Sequence, residues 1–426
     1  MSGPTSRPSV AVIGAGVAGL TAAYLLRRTH DVILFETDDR LGGHAHTHEV
    51  TASDGSRLAV DSGFIVHNDR TYPWLRRLFD ELGVDVRPTE MSMGIRCEGC
   101  GLEYAGGRGA KGMLAQPYRL LGPSYPRLLM QVRQFHRRAA AFLALSTEDD
   151  LTTYGEFLQR EGFSEDFVTH YAVPVVACVW SAGQQTALQY PARYLFRFLA
   201  HHGMLSVGGS PQWFTVRGGS RTYVDRIASL LPIRRTGTPV TDVTRHADGV
   251  EIRDAGGATH AADRVVIATH ADQALALLSD PTDDEVQTLK AFRYSTNETV
   301  LHTDARLLPR TSRARASWNY TTGSCRVAPG DAPIVTYWMN RLQDLHPPED
   351  YLVTLNARDR VDPDRILAVM EYEHPIYDPD SVRAQRGLAA LATTSTVYAG
   401  AYHGWGFHED GCRSGVEAAR HFGVTW

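Results

Sequence analysis

The sequence predicts an α/β protein in which a parallel sheet begins near the N-terminus, is interrupted by a second unit of mixed sheet and helices, and is completed at the end of the chain. Three observations carry this. A strand-like run enters a Gly-x-Gly-x-x-Gly turn and then a helical stretch. The strand-helix rhythm stops after about residue 88. Strand-glycine-helix units then return in 211–285 and in 396–426.

The elements follow in order. Ser9-Val10-Ala11-Val12-Ile13 is apolar and rich in β-branched residues, as a strand buried on both faces requires. Gly14-Ala15-Gly16-Val17-Ala18-Gly19 follows at once, then Leu20 to Arg28 at helical spacing, then Asp31 to Phe35 as a second strand with Glu36 at its end. Gly14 permits a tight turn, Gly16 a close backbone approach to a pyrophosphate, and Gly19 helix-on-strand packing. The free N–H groups of the helix start form an anion site without side-chain charge. An acid 17 residues after Gly19 is placed to bind ribose hydroxyls and to repel a 2′-phosphate. Arg40-Leu41-Gly42-Gly43-His44 adds a cation and two flexible backbone units beside the same phosphates. Val60-Asp61-Ser62-Gly63-Phe64 starts a segment able to approach a flat ring. Helical and aromatic-rich stretches fill 88–210.

The sheet resumes with a helical run over Thr222 to Leu231, strands at Ile233-Arg234-Arg235 and Pro239 to Val243, a hairpin around Gly256-Gly257, and a buried strand at Arg264 to Thr269. Thr396 to Gly400 and Gly411 to Phe422 supply the final strand and helix. The predicted division is 8–87, 211–285 and 396–426 for the dinucleotide unit, and 88–210 with 286–395 for the substrate unit.

Composition bounds the rest. The 426 residues are 43% hydrophobic, 21% charged and 9% aromatic, the values of a soluble globular protein, with a net charge of −5 that gives no reason to expect nucleic acid. No apolar run is long enough to span a bilayer. The short polar start resembles neither a signal nor a transit peptide, so a cytoplasmic protein is expected. Five scattered cysteines fit a reducing compartment. Cys97 and Cys100 form a Cys-x-x-Cys with no second pair or nearby histidine, so they read as a turn with two thiols, and no metal ligand set is expected. Between Glu103 and Glu148 there is no acid, while Arg108, Lys111, Arg119, Arg127, Arg133, Arg137 and Arg138 alternate with apolar residues. That segment can lie on an anionic bilayer or be a solvated helix face, and it raises the expectation of peripheral contact with the inner face of the membrane.

Taken together, the N-terminal fingerprint, the glycine pair after the acid and the C-terminal close resemble the FAD-dependent amine oxidase and phytoene desaturase superfamily. Gly42-Gly43-His44-Ala45, Asp61-Ser62-Gly63-Phe64, Thr71-Tyr72-Pro73, Pro211-Gln212-Trp213, Val335-Thr336-Tyr337-Trp338 and the run Gly400 to Gly411 are similar to the N-terminal flavin domain of plant cyclopropane fatty acid synthases and its stand-alone bacterial relatives. The resemblance implies a Rossmann-like FAD-binding domain interrupted by a substrate domain in the amine-oxidase-like arrangement. It implies that Gly14, Gly16, Ala18 and Gly19 hold the pyrophosphate, Glu36 the ribose, and Arg40, Gly42, Gly43 and His44 the phosphates again. Val240 would face the adenine, and Gly63 and Phe64 the isoalloxazine. Gly400 and Phe407-His408-Glu409-Asp410 would bring the last helix to the flavin, with the Glu409 and Asp410 backbone N–H groups offered to it. Tyr402 and Trp405 are expected as pocket walls, and His67 and Asn68 as further pocket candidates.

Where amine oxidases carry a lysine, this chain has Asn297-Glu298, which weakens the amine reading. The function implied is oxidation or desaturation of a lipid acyl chain or other apolar substrate by hydride transfer to flavin N5. The alternatives are a flavin-containing, non-catalytic partner of a lipid methyltransferase, or a flavin amine oxidase.

Overall fold

The computed structural model describes residues 7–205, 209–327 and 332–426. The polar start before Arg7 lies outside them, as do 206–208 and 328–331 of the expected substrate unit.

A five-stranded, all-parallel sheet is ordered Ile233–Arg235, Asp31–Phe35, Ser9–Ile13, Arg264–Ile267, Thr396–Tyr398. Its central strand shows why no polar alternation is visible in the sequence. Val10 and Val12 point into one apolar core, with the first helix (Val17–Leu26) and the last (His408–His421). Ala11 and Ile13 point into another, with Phe35, Val243, Ile252 and Ile267. Both faces are therefore covered, one by helices and the other by a three-stranded antiparallel sheet of Val240–His246, Gly249–Asp254 and Thr259–Ala262.

A seven-stranded sheet is ordered Ile366–Ile376, Arg293–His302, Leu352–Leu355, Ile334–Trp338, Trp318–Thr322, Met93–Cys97, Glu103–Gly106. The last two strands form a hairpin inside a stretch that the sequence presents as helical and aromatic. The short, glycine-containing Met93–Cys97 has little strand character of its own, and its parallel partner Trp318–Thr322 comes more than 200 residues later. Helices from Ser124–Leu145 to Ala192–His201 cover this sheet through an aromatic core that includes Phe135, Phe157, Phe167 and Phe196. Cys97 and Cys100 do not stand alone at the hairpin tip, because the fold brings Cys325 and His170 to them.

Candidate active site

The first and last helices run side by side and parallel, with their starts level. A β-carbon on Gly411 would lie 2.6 Å from Val17 Cγ1, so the first turn of one helix touches the first residue of the other. The first helix starts at Gly16 with no side-chain cap and no acid in its first turn. The last starts at Phe407, which offers no acceptor, and has no side-chain cap either. The two helix starts thus face the same side of the molecule, the first without any counter-charge of its own and the last with Glu409 and Asp410 in its first turn.

The turn before the first helix has the tight glycine geometry and open space that a pyrophosphate would need. Gly14 has φ +96°, and a β-carbon there would come 2.7 Å from the Ala268 carbonyl oxygen. A β-carbon on Gly16 would meet nothing within 4 Å, so the space beside this helix start is open. Gly43 presses against Gly16, and the Gly42 N–H donates to the Ala15 carbonyl at 2.8 Å. Ala18 is buried in the first turn of the helix, and Gly19 packs on Gly14. Arg40 donates to the Gly43 carbonyl at 2.8 Å, which holds its guanidinium in this loop.

Glu36 accepts the Ala15 N–H at 2.7 Å and the Asp38 N–H at 3.0 Å. The Glu36 carbonyl accepts the Thr238 N–H, which places Val240, the first residue of its strand, just beyond the acid. Here Glu36 would hold an adenosine ribose and Val240 would face the adenine.

At the opposite end, the His44 carbonyl accepts the Phe64 N–H at 2.7 Å, and a side chain on Gly63 would overlap that carbonyl. The Phe64 ring does not stand free against a flavin. It stacks on His408 at 3.8 Å and 12°, joining the His44 segment to the start of the last helix. Gly400 donates to Ser414 Oγ at 2.9 Å. The carboxylate of Glu409 accepts the Trp74 and Leu75 N–H groups, and that of Asp410 accepts the Trp405 and Phe407 N–H groups and pairs with Arg413. Burial pushes both carboxyls up, Glu409 to about 7 and Asp410 to about 6. Their side chains are thus engaged elsewhere, which leaves the backbone N–H groups for a ligand.

Two histidines absent from the sequence reading, His270 and His374, complete the centre. His44 lies beside Tyr372 and His374, 5.1 and 5.4 Å between ring centroids, with His270 and His408 near enough to affect its charge. Burial holds His44 well below its usual range, His374 and His403 at about 4 and His408 at about 3, so all are neutral at pH 7. The buried Nε2 atoms of His44 and His403 have no partner among the described residues, as orphaned polar atoms around a ligand space would. His270 and His374 sit on elements more than 200 residues from His44, so no local spacing marks them.

The predicted pocket candidates divide. Trp405 packs against Tyr194, Phe198 and His201, its carbonyl accepts Trp180 Nε1–H at 2.8 Å, and its own Nε1 is buried without a partner. It packs against the helical layer. Tyr402 is instead packed in the core shared by Phe292, Leu388 and Tyr398, beside His403, and its buried hydroxyl has no partner among the described residues. Asn68 is bonded within its own turn: its Oδ1 accepts the Arg70 and Thr71 N–H groups, and its Nδ2 donates to Thr71 Oγ1. His67 is buried among Tyr72, Phe79 and Phe214. Asn297 is buried and bonded to His374 and Asn356, whereas Glu298 points outward to Arg358.

Two helix starts, the Glu36 carboxylate beside the glycine turn and a neutral aromatic centre are the features a flavin-dependent oxidoreductase needs, and the residues present fit FAD. The family model for flavin containing amine oxidoreductases matches residues 17–352, and the chain belongs to that family. Over 46 residues it is 54% identical to tryptophan 2-monooxygenase of Allorhizobium ampelinum, a match covering 10% of this chain and 6% of the relative. An L-amino acid oxidase of Cerastes cerastes is 50% identical over 46 residues, covering 10% and 9%. The chain thus spans less than a tenth of these curated relatives. Its fold is shared with cyclohexylamine oxidase from Brevibacterium oxydans (TM-score 0.69, 18% identity, 98% of each chain). It is also shared with a fatty acid isomerase from P. acnes (TM-score 0.67, 17% identity, 99% and 100%). Putrescine oxidase is a further match (TM-score 0.69, 16% identity, 98% and 99%). The protein is an FAD-dependent oxidoreductase.

Proposed function

We propose that this oxidoreductase oxidises or desaturates an apolar substrate, with a lipid acyl chain as the favoured class. Bound FAD supplies the two-electron acceptor at flavin N5. The observation that carries the substrate class is the wall around Trp405. Tyr194, Phe198, Trp180 and Phe407 present rings there, and the nearby histidines are neutral. Among the described residues, the buried acid touching this wall, Asp410, is bonded to Arg413 and to two backbone N–H groups, so it is not free to hold an ammonium. Such a wall orients an alkyl chain by area and excludes water. The fold is shared by proteins named for amines and for fatty acids, so the side chains, not the fold, support the choice.

Access from a membrane fits the same reading. No helix among the described residues is long and apolar enough to cross a bilayer. Leu121 is 92% exposed, and Tyr118, Leu120 and Met130 are exposed as well. Lys111, Arg127, Arg133 and Arg137 are exposed on the same segment, whereas Arg108 and Arg138 are paired with Glu90 and Glu161. Each free cation near an anionic surface contributes about 1 kcal/mol. Comparing lipid extracts of cells with and without the gene tests the proposal. New or lost double bonds in acyl chains support it. Unchanged acyl chains, with polyamines or arylalkylamines consumed instead, contradict it.

A further inference from the structure

We propose that Cys97, Cys100, His170 and Cys325 hold one zinc ion, in a structural site separate from the flavin residues. Their four donor atoms lie within 4.8 Å of one another. Cys97 Sγ is 3.6 Å from Cys325 Sγ, and Cys100 Sγ is 3.8 Å from His170 Nε2. A tetrahedral zinc with Zn–S of about 2.3 Å and Zn–N of about 2.0–2.1 Å has S···S edges of about 3.8 Å and S···N edges of about 3.6 Å. The Cys97–Cys325 and Cys100–His170 separations lie within about 0.2 Å of those edges, and the whole set within 4.8 Å needs only small side-chain adjustments to close on an ion. Four donors this close surround a single ion and leave no room for a cluster of several irons.

The backbone supports each ligand. Cys97 ends the strand Met93–Cys97, and the chain turns back at once, with the Gly101 N–H donating to the Cys97 carbonyl and the Cys97 N–H to the Leu102 carbonyl, both at 2.9 Å. Gly101 takes the left-handed conformation, φ +70°, that this knuckle needs. Cys325 follows the strand Trp318–Thr322, whose parallel pairing sets Thr322 opposite Cys97. His170 comes from the helical layer, in the π-helical turn Val168–Ala172, and its carbonyl accepts the Tyr104 hydroxyl at 2.7 Å. Arg119 donates to the Cys100 carbonyl, bringing positive charge beside three thiolates and a dication of net charge −1.

The cysteine pair alone spells a turn with two thiols. Two strands and a helix, meeting through contacts 70 and 228 residues apart, turn it into a soft donor set of three sulfurs and one nitrogen that selects zinc over hard cations. The ion would pin the hairpin, the large sheet and the helical layer together. The helix after His170, Val173–Trp180, ends at the residue bonded to Trp405, so the clamp anchors the element that holds the pocket wall.

The test is metal analysis of the FAD-loaded full chain, expressed with added zinc and purified without chelator. About one zinc per chain is expected, together with X-ray absorption showing three sulfur neighbours at about 2.3 Å and one nitrogen at about 2.0–2.1 Å. Cys100→Ser and Cys325→Ser should lose most of the zinc at unchanged FAD content, and Cys178→Ser should keep it. If either variant fails to fold, the absorption measurement on the unmodified protein decides. Zinc below about 0.1 per chain, a coordination shell without sulfur, or a Cys97–Cys325 disulfide in the isolated protein overturns the proposal.

Discussion

Gly415 of the last helix lies against Ala18 of the first, so close that a β-carbon on Gly415 would overlap the Ala18 carbonyl oxygen and approach Thr21 Cβ to 2.9 Å. This contact, with Gly411 on Val17, levels the two helix starts, so that both would face one cofactor. Gly415→Val should therefore separate the helices, destabilise the protein by about 1–3 kcal/mol and lower the FAD-to-protein absorbance ratio. Denaturant unfolding and the purified spectrum check both. Full FAD content at unchanged stability would show that the close approach does not matter.

Glu409 gives a pH dependence with a definite sign. Burial raises its carboxyl from 4.5 to about 7 in the folded protein. The unfolded chain loses that proton from about 4.5 upward while the folded one keeps it. The stability it contributes is therefore full below about pH 4.5 and is lost as the pH climbs through 7. Urea titrations at several pH values should show Glu409→Gln gaining on the unmodified protein between pH 4.5 and 7. A constant difference across that window would rule out a raised Glu409.

Asn68 is a turn residue, not a chemical one. Asn68→Ala removes the acceptor of the Arg70 and Thr71 N–H groups. It should cost about 1 kcal/mol in stability and leave the rate of flavin reduction by substrate unchanged. A large fall in that rate without a stability loss would return Asn68 to the reacting centre.

Trp405 makes the opposite prediction. Trp405→Ala should retain FAD, because the Trp405 ring packs toward the helical layer and not toward Gly16 or Glu36. Its reduction by an acyl substrate should slow roughly 10- to 100-fold at low substrate concentration, the equivalent of losing one buried aromatic contact. Stopped-flow absorbance measures it, and an unaltered rate removes Trp405 from the pocket.

The parallel sheet was readable because its signals are local: an apolar run, glycines at fixed offsets and an acid at the next strand end. Glu36 beside Ala15 and Gly43 against Gly16 follow from those signals. The final helix was placed from Gly411 onward but begins at His408, since the apolar Phe407 gives no N-cap signal. What the sequence concealed is non-local. Met93–Cys97 becomes a strand only by pairing with Trp318–Thr322, and His44 meets His270 and His374 only through the sheets. Tyr402 and Trp405 are three residues apart, yet they enter different cores because the chain turns sharply at Gly404 and Gly406. No periodicity in six residues reveals that divergence.

The most direct test is anaerobic reduction of the purified yellow protein, with unsaturated phospholipid or free fatty acid in one series and putrescine or an arylalkylamine in the other. Saturable bleaching of the flavin absorbance by the acyl compounds alone is the predicted result. Bleaching by the amines with none by any acyl compound would contradict the account.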